Sequence, residues 1–290
     1  MSTDGIAYWN VQVMKRWKRT QSADEARDLE TFWDGRAEAF NERTGQRSAR
    51  DYDTALVHCI ADKAKLQPTD TCLDLGCGTG SLALPLARRL KCVTACDISG
   101  QMLGYLEARA RQAHQDNIVT RHGRWMDLVP SRDVGPHDIV ISHRSLGLIA
   151  CDRDGSPDFV TCIARMHHLT RRAAFIIPRA FGVPDDDEFR RLFPECTGGP
   201  AERFSDLTTL NLLHAMGLFP RLDYVPLRQV QQFHSIDDEV AAFRHFFQID
   251  GLRQLKRLHE YLARYALRQD DQYSMRTVTR VMVMWWLKEC

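Results

Sequence analysis

Three glycines at alternate positions separate an apolar stretch from a helical pattern in TCLDLGCGTGSLALPLARRL, residues 71–90. Glycine is favoured where the main chain takes unusual dihedral angles, or where a ligand or another backbone comes into contact with it. Asp74 lies in the apolar stretch just before this loop, where its carboxylate would attract a cationic amine and repel an anion. The pattern therefore indicates a site for a small molecule that carries positive charge.

The spacing of the glycines distinguishes between classes of nucleotide ligand. Gly76, Gly78 and Gly80 form G-x-G-x-G, whereas the dinucleotide fingerprint is G-x-G-x-x-G. The chain also has no G-x-x-x-x-G-K-[ST] motif for a nucleoside triphosphate. Asp97 follows the first glycine by about twenty residues, at the end of the next predicted strand, where a carboxylate can accept hydrogen bonds from two ribose hydroxyls. These features favour a cationic nucleoside over a dinucleotide.

The elements around the loop alternate between strand and helix. Hydrophobic periodicity predicts strands at 71–76, 92–99, 117–123, 137–144 and 173–178, and helices between them at 81–90, 100–114 and 156–169. Ser156 is expected to cap the last of these helices, with Pro157 at its first position. The alternation predicts an α/β fold, a Rossmann-like doubly wound and mostly parallel sheet, whose antiparallel last strand is VTRVMVMWWLKE, residues 278–289.

Composition narrows the function classes. The 290 residues include 39 basic and 38 acidic side chains, and the resulting net charge of +1 gives no field that favours nucleic acid or an anionic membrane. The apolar run VMVMWWL is too short to cross a bilayer, and the first 20 residues do not resemble a signal peptide. Nine scattered cysteines without a C-x-x-C pair predict buried thiols and no metal site. We expect a cytoplasmic protein.

Two motifs carry a resemblance to a known family. LDLGCGTG (73–80), followed by CDISGQML (96–103), resembles the cofactor-binding core of the class I S-adenosylmethionine-dependent methyltransferases, in the style of the quinone-biosynthesis and other small-molecule enzymes. The resemblance covers residues 32–178, about half of the chain. It implies S-adenosyl-L-methionine as the cofactor, which agrees with the cationic nucleoside that the loop favours.

The resemblance also implies which residues hold the cofactor. Asp74 and the glycine loop would hold the methionine end, and Asp97 would bind the ribose hydroxyls. An N-terminal helix would fold over the cofactor, although the same pattern also suits an amphipathic helix that packs a core. The cofactor-binding residues expected in this way are Asp74, Gly76, Cys77, Gly78, Gly80, Asp97, Ile98, Met102, Trp33 and Arg36.

The third predicted strand departs from the family. Members usually carry a carboxylate near the end of this strand that meets the adenine amino group, but the sequence here is HGRWMDL, with Arg124 at that position. Asp127 could take over the contact and Trp125 could cover the adenine face, and Met126 between them is included in the expected site. Ordinary surface or core roles are the alternative for all three.

The domain organisation follows from these elements. Residues 1–50 are predicted to form an N-terminal helical cap or lid, 51–180 the S-adenosylmethionine-binding core, and 181–290 a helical insertion plus C-terminal strands that complete the sheet. The elements outside the core are helices at 25–44, 51–66, 206–217, 236–249 and 252–268, a strand at 219–233, and a surface excursion at 182–204.

The methyl acceptor is expected at the end of the fourth strand, in ISHRSLGL, residues 141–148. His143 could be a general base and Arg144 could bind an anionic group, or both could be outlying loop residues. The chain lacks the [DN]-P-P-[FYW] and Pro-Cys signatures of nucleic-acid methyltransferases, so a small-molecule acceptor is predicted. A cofactor-binding regulatory protein without turnover, and an enzyme that methylates a macromolecule, remain alternatives. The oligomeric state does not follow from the sequence.

Overall fold

The computed structural model describes residues 3–20, 28–45, 47–180, 183–184, 189, 207–247, 249, 251–269 and 271–288. The chain forms two compact units. Unit 1 comprises Met1–Arg179, Leu207–Asp223 and Val283–Cys290, and unit 2 comprises Ala180–Asp206 and Tyr224–Met282. Residues 1–50 therefore belong to the same unit as the predicted core, and the segment 181–290 is divided between the two units.

Four helices precede the first strand in the described part of the chain: α1 (Thr3–Thr20), α2 (Leu29–Asp34), α3 (Ala37–Gly45) and α4 (Arg47–Ala64). The single helix predicted at 25–44 is wrong, since the chain turns at Gly35 between α2 and α3. The side chain of Asp28 caps α2 by accepting from the backbone N–H groups of Glu30 and Thr31, so this helix begins at Leu29. Residues 25–27 lie outside the described residues.

Unit 1 is built on a mostly parallel sheet. Its parallel strands are β1 (Thr71–Leu75), β2 (Cys92–Asp97), β3 (Ile118–His122), β4 (His137–His143) and β5 (Thr170–Ile177), in the order β3-β2-β1-β4-β5. The end of β9 (Gln272–Leu287) pairs antiparallel with β5, with Trp285 opposite Phe175. The predicted Rossmann-like sheet and its antiparallel last strand are confirmed.

The later helices of unit 1 are α5 (Ala83–Ala87), α6 (Gly100–Gln112), α7 (Leu146–Ile149), α8 (Phe159–Leu169) and α9 (Leu207–Ala215), of which α9 packs on α1. Helices α5 and α6 pack on β2 and β3, while α8 packs on β4 and β5. Strands covered in this way read as continuous apolar runs, which is why periodicity located them. The predicted cap of α8 is wrong, because Asp158 rather than Ser156 accepts the hydrogen bond from the Thr161 N–H, at 3.0 Å.

Unit 2 has its own apolar core. Its described elements are β6 (Val183–Pro184), the larger part of β7 (Arg221–Phe233), α10 (Ile236–Phe247), α11 (Leu252–Tyr265), β8 (Leu267–Gln269) and residues 272–282 of β9. Strands β6 and β8 pair antiparallel with β9. Phe189, Phe243 and Tyr261 meet in the core at ring-centroid distances below 6 Å. Most of the surface excursion predicted at 182–204 lies outside the described residues.

Two further features bear on the class of protein. Cys72, Cys96 and Cys162 are buried thiols, and burial raises the pKa of Cys96 to about 12 and that of Cys162 still higher, so these thiols stay protonated and unreactive. Among the described residues, no helix is both long and apolar enough to span a membrane.

Arg172 of β5 supports the start of β1. Its Nη1 lies 3.0 Å from Oδ1 of the buried Asp70, and its Nη2 contacts Oδ2. We expect Arg172→Met to lower the free energy of unfolding, measured by urea unfolding, by about 1–3 kcal/mol, because Asp70 would keep a buried charge without its partner while the arginine itself is partly exposed.

Arg171→Met is the matched control for this prediction. The Arg171 side chain is 55% exposed and lies 4.0 Å from Asp138, so its removal should change the free energy of unfolding by less than about 0.5 kcal/mol. Equal losses in the two variants would show that the buried pair does not support the sheet.

Candidate active site

The glycine loop follows β1 and is fixed to the end of β2. The backbone N–H groups of Gly76 and Cys77 both donate to the carbonyl of Cys96, at 2.8 and 3.1 Å. Gly76, Gly78 and Gly80 have φ values of +68°, +54° and +87°, which side-chain-bearing residues rarely adopt. The loop is therefore a rigid turn at the carboxyl end of β1, where open α/β sheets bind their ligands.

The three glycines meet different neighbours. A Cβ at Gly76 would overlap the side chain of Ser145, and one at Gly80 would overlap Leu106. A Cβ at Gly78 would stand 3.3 Å from the Phe40 ring of α3. The close approaches that require glycine at positions 76 and 80 thus come from within the protein, and Phe40 of the N-terminal region covers the middle glycine.

Asp97 ends β2 and contacts this loop directly. Its Oδ2 accepts from the Gly78 N–H at 2.8 Å and its Oδ1 accepts from the Ser99 N–H at 2.9 Å. Burial raises the pKa of Asp97, and the backbone N–H donors oppose the rise. Next to it, Ile98 is partly buried, and Met102 is buried with its N–H donating to Ser99 Oγ at 3.1 Å. The structure thus brings Asp97, Ile98 and Met102 to the edge of the glycine loop.

Asp74 and Asp53 are two more buried carboxyl groups, and both Asp97 and Asp53 act electrostatically on Asp74. Asp74 of β1 is 2% exposed, and burial, followed by repulsion from Asp97 and Asp53, raises its pKa to about 7. Asp53 of α4 is 8% exposed, and burial raises its pKa to about 7 against the opposing effect of Arg144 and Arg109. The site therefore concentrates negative charge that becomes more favourable when a cation is present.

Sequence reasoning missed Asp53, although a signal existed. The buried residues of α4 recur at helical spacing as Leu56, Val57, Ile60 and Ala64, and Asp53 lies on the same face one turn earlier. A carboxylate in line with an apolar face is rarely left unpaired and marks a position with a special role.

The N-terminal helices are tied to the cofactor-side loops by polar contacts. Asp34 at the end of α2 accepts from Ser99 Oγ at 2.5 Å and from the Gln101 N–H at 3.2 Å. Thr44 of α3 shares a buried hydrogen bond of 2.9 Å with Thr79 inside the glycine loop. Arg109 of α6 also donates to the carbonyl of Thr79, at 3.0 Å. The expected covering segment therefore lies against the loop, through residues the sequence did not single out.

Trp33 and Arg36 occupy different places in this segment. The Trp33 ring makes an edge contact with Phe40 at a centroid distance of 6.2 Å. Arg36 is exposed and stacks over Phe32, with its Cζ 3.6 Å from the ring centroid. Trp33 thus adjoins the ring that covers Gly78, while the guanidinium of Arg36 is engaged by Phe32 of α2.

Trp125, Met126 and Asp127 follow β3 and are the residues expected near the adenine. Trp125 is 4% exposed, and its indole N–H has no hydrogen-bond partner among the described residues. Arg165 of α8 donates to the carbonyl of Met126 at 2.7 Å. Asp127 pairs with the exposed Arg153, at 3.0 Å. The side chain of Asp127 therefore has a partner within the protein.

The end of β4 carries His143 and Arg144. The buried His143 stacks on Tyr52 of α4, and Tyr52 Oη lies 3.2 Å from His143 Nε2. Burial, helped by the positive charge of Arg144, holds the pKa of His143 well below its usual range. Arg144 is exposed, has φ of +60°, and lies 5.9 Å from the Phe40 ring centroid. His143 is therefore neutral at physiological pH beside a cation, and Tyr52 is a second residue that sequence reasoning missed.

Asp53→Asn is expected to stabilise the protein in the absence of ligand. Because the folded pKa of Asp53 is raised to about 7, its contribution to stability is present below the unfolded pKa of about 4 and is lost as the pH rises towards 7. The gain in melting temperature over the wild type should therefore be larger at pH 8 than at pH 5. Asp51→Asn, at an exposed position of the same helix, is the control, and an equal gain at both pH values for Asp53→Asn would reject the prediction.

Comparisons with known proteins agree with this geometry. Residues 72–154 match the family model described as a methyltransferase domain. The chain is 32% identical over 220 residues to a Haemophilus influenzae protein that is described only as uncharacterized, and the match covers 72% of both chains.

Two named enzymes match a shorter part of the chain. The 23S rRNA (uracil(1939)-C(5))-methyltransferase RlmD of Photobacterium angustum is 37% identical over 70 residues, 24% of this chain and 32% of that enzyme. The 2-phytyl-1,4-naphtoquinone methyltransferase of a Nostoc species is 42% identical over 71 residues, 23% of this chain and 31% of that enzyme. The chain thus spans about a third of the length of either enzyme, and their acceptors by name are an RNA and a quinone.

The matched methyltransferase domain contains the glycine loop, Asp74, Asp97 and the end of β4, which are the features that the fold brings together. The chain belongs to the class I S-adenosylmethionine-dependent methyltransferases, and S-adenosylmethionine is its cofactor.

Proposed function

We propose that this methyltransferase acts on a small molecule whose reacting group is already anionic at neutral pH. The observation that carries the proposal is the end of β4, where an exposed arginine, Arg144, follows a buried and neutral histidine, His143. Arginine binds carboxylates and phosphates through its fork of N–H donors. Because His143 is neutral, it adds no charge of its own, and the anionic acceptor is the partner of Arg144.

The buried residues fit the cofactor. In our proposal Asp74 and the loop of Gly76, Cys77, Gly78 and Gly80 hold the methionine end, and Asp97 holds the ribose. When bound, S-adenosylmethionine supplies a methyl group on a positively charged sulfur. The raised pKa values of Asp74 and Asp53 support this assignment, because a buried carboxyl group that is strained by burial and by like charges gains from a cation.

His143 is a poor general base in this arrangement. A pKa well below the usual range means that its affinity for a proton is weak, and Tyr52 already lies within hydrogen-bond distance of its Nε2. The same burial raises the pKa of Tyr52 to about 12, so this hydroxyl also stays protonated. A nucleophile that needs no deprotonation, such as a carboxylate or a thiolate, suits the pair better than an alcohol.

The positive charge of Arg144 would be unfavourable beside a cationic cofactor unless a negative charge balances it. Asp53 supplies part of this negative charge, since Arg144 lowers the pKa of its carboxyl group. With a pKa of about 7 Asp53 is only partly ionised at neutral pH, and an anionic acceptor would supply the rest. In our proposal the acceptor anion lies between Arg144 and the methyl group, and His143 and Tyr52 form the wall beside it.

The N-terminal helices support a small acceptor. Phe40 covers Gly78, and Asp34 and Thr44 tie α2 and α3 to the loops on either side. A cover of this kind excludes water from a displacement in which the protein chiefly positions the reactants. The short matches to an RNA enzyme and to a quinone enzyme lie in the cofactor-binding region and do not favour either acceptor.

The acceptor class is tested by measuring S-adenosylhomocysteine release over paired compounds. Each pair contains a carboxylate, phosphonate or thiol and its neutral amide, ester or thioether, and a bulk RNA sample is added as a separate arm. Turnover confined to the ionised members is the expected result. Turnover of neutral amines, or methylation of RNA alone, would overturn the proposal.

We expect Arg144→Met to raise the KM of an anionic acceptor by about tenfold or more, because a charge-assisted contact is lost, while the Kd of S-adenosylmethionine changes by less than about threefold. Arg88→Met, at the exposed end of α5, is the control and should change neither constant. A variant that loses cofactor affinity but keeps acceptor kinetics would place Arg144 in the cofactor site.

The affinity for S-adenosylmethionine should rise with pH. Cofactor binding favours the ionised form of carboxyl groups whose pKa is near 7, so the Kd should fall by up to about tenfold per pH unit below pH 7 for each proton released, and level off above it. Calorimetric titration from pH 5.5 to 7.5 measures this slope. 5′-Methylthioadenosine lacks both the sulfonium and the α-ammonium charge and should show a shallower dependence; identical slopes for S-adenosylmethionine and this compound would count against the assignment.

A further inference from the structure

Arg124 follows β3 in a turn whose carboxylate, Asp127, is already paired. Trp125 is buried with its indole N–H unpartnered among the described residues, and Asp127 is paired with Arg153. The backbone of this turn is also fixed, since Arg165 donates to the carbonyl groups of residues 125, 126 and 128. The turn is rigid, and Arg124 is the charged side chain within it that is available to a ligand.

The guanidinium of Arg124 lacks a hydrogen-bond acceptor for one of its nitrogens in the part of the chain that the structure describes. Its Nη1 is enclosed by protein and has no hydrogen-bond partner among the described residues. Its charge helps to lower the pKa of Asp28, but the oxygens of that carboxylate already accept from Thr31 Oγ1 at 2.6 Å and from the N–H groups that it caps. An enclosed N–H without an acceptor is costly, and a ligand atom is one way to satisfy it.

The strand order sets which part of the cofactor lies beside Arg124. Strands β1, β2 and β3 are neighbours, and the Gly123 N–H donates to the carbonyl of Asp97 at 2.9 Å. If Asp97 holds the ribose, as in the proposed function on which this step rests, the purine lies one strand further from β1. Neighbouring strands are about 4.8 Å apart, which is a distance that a guanidinium spans.

The chemistry of the purine edge then becomes decisive. A guanidinium can only donate hydrogen bonds, and the 6-amino group of adenine also donates, so the two groups do not pair. Arginine pairs instead with ring nitrogens and with a 6-oxo group, as in its bidentate contact to guanine O6 and N7, whereas carboxamides read the amino group of adenine.

We propose that Arg124 reads the C6 edge of the purine, by donating to N7, which accepts a hydrogen bond in both 6-amino and 6-oxo purines, and that the pocket therefore does not select for the 6-amino group. A cofactor with a 6-oxo purine would offer Arg124 a second acceptor. Arg124 is in this sense a specificity-determining residue, and its identity widens the purine ligands that the enzyme accepts.

Binding of two cofactor products tests the proposal without an acceptor. The Kd values of S-adenosylhomocysteine and of its 6-oxo analogue, S-inosylhomocysteine, are measured by calorimetry for the wild type and for Arg124→Asp. The wild type should bind the 6-oxo compound at least as tightly as the 6-amino compound, within about threefold. Arg124→Asp places an acceptor at the same point and should prefer the 6-amino compound by about tenfold or more.

Further variants separate this role from a structural one. Arg124→Lys should keep the wild-type ratio of the two Kd values, while Arg121→Asp, at an exposed position of β3, is the matched control and should leave the ratio unchanged. If Arg124→Asp does not fold, the ratio is measured in Arg124→Met, which should lose the tolerance for the 6-oxo compound by about tenfold.

A wild type that prefers the 6-amino compound by more than about tenfold would overturn the proposal. Substitutions at Arg124 that weaken the binding of both ligands equally would also overturn the proposal. Neither result depends on which acceptor is methylated, so the proposed acceptor class and this inference can fail separately.

Discussion

The burial of negative charge at the carboxyl ends of the strands is the constraint on which the rest of this structure depends. Asp74 is 2% exposed at the end of β1, and Asp53 and Asp97 repel it from α4 and β2. Such a cluster is unfavourable in the protein alone and favourable around a cation. The rigid glycine loop, the N-terminal helices and Arg144 all lie around this charge, and each either shields it or balances it.

Protonation links the stability of this region to its function. Carboxyl groups with a pKa of about 7 allow the region to fold with fewer charges in the absence of ligand and to ionise when a cation arrives. Under the proposed function, the neutral pair of His143 and Tyr52 would meet the opposite requirement on the acceptor side, because it adds no positive charge next to the sulfonium. The two sides of the site would then differ in charge for a single reason, which is the positive charge of the methyl donor.

The sequence predicts the sheet well because its central strands are short, largely buried and separated by helical patterns, and β1 and β2 end at a glycine and a carboxylate on the same edge. It predicts Asp74, Asp97 and the glycine loop for the same reason, since these residues are close in sequence. Tyr52 and Thr44 reach the site from helices that precede the glycine loop, and only packing reveals them, whereas Asp53 is marked in the sequence by its place on the apolar face of α4. The expected close approach of a ligand to every glycine was too simple, because Ser145 and Leu106 occupy the space beside two of them.

The contacts of the N-terminal helices also determine when the site can form during synthesis. Thr44 meets Thr79, Asp34 meets Ser99, and Tyr52 meets His143, which lies 91 residues later in the chain. The ribosome releases the N-terminal helices long before these partners exist, and contacts at such sequence separation form slowly. Phe40 therefore cannot cover Gly78 until the glycine loop has been made, and Tyr52 gains its contact with His143 only after β4 has been synthesised.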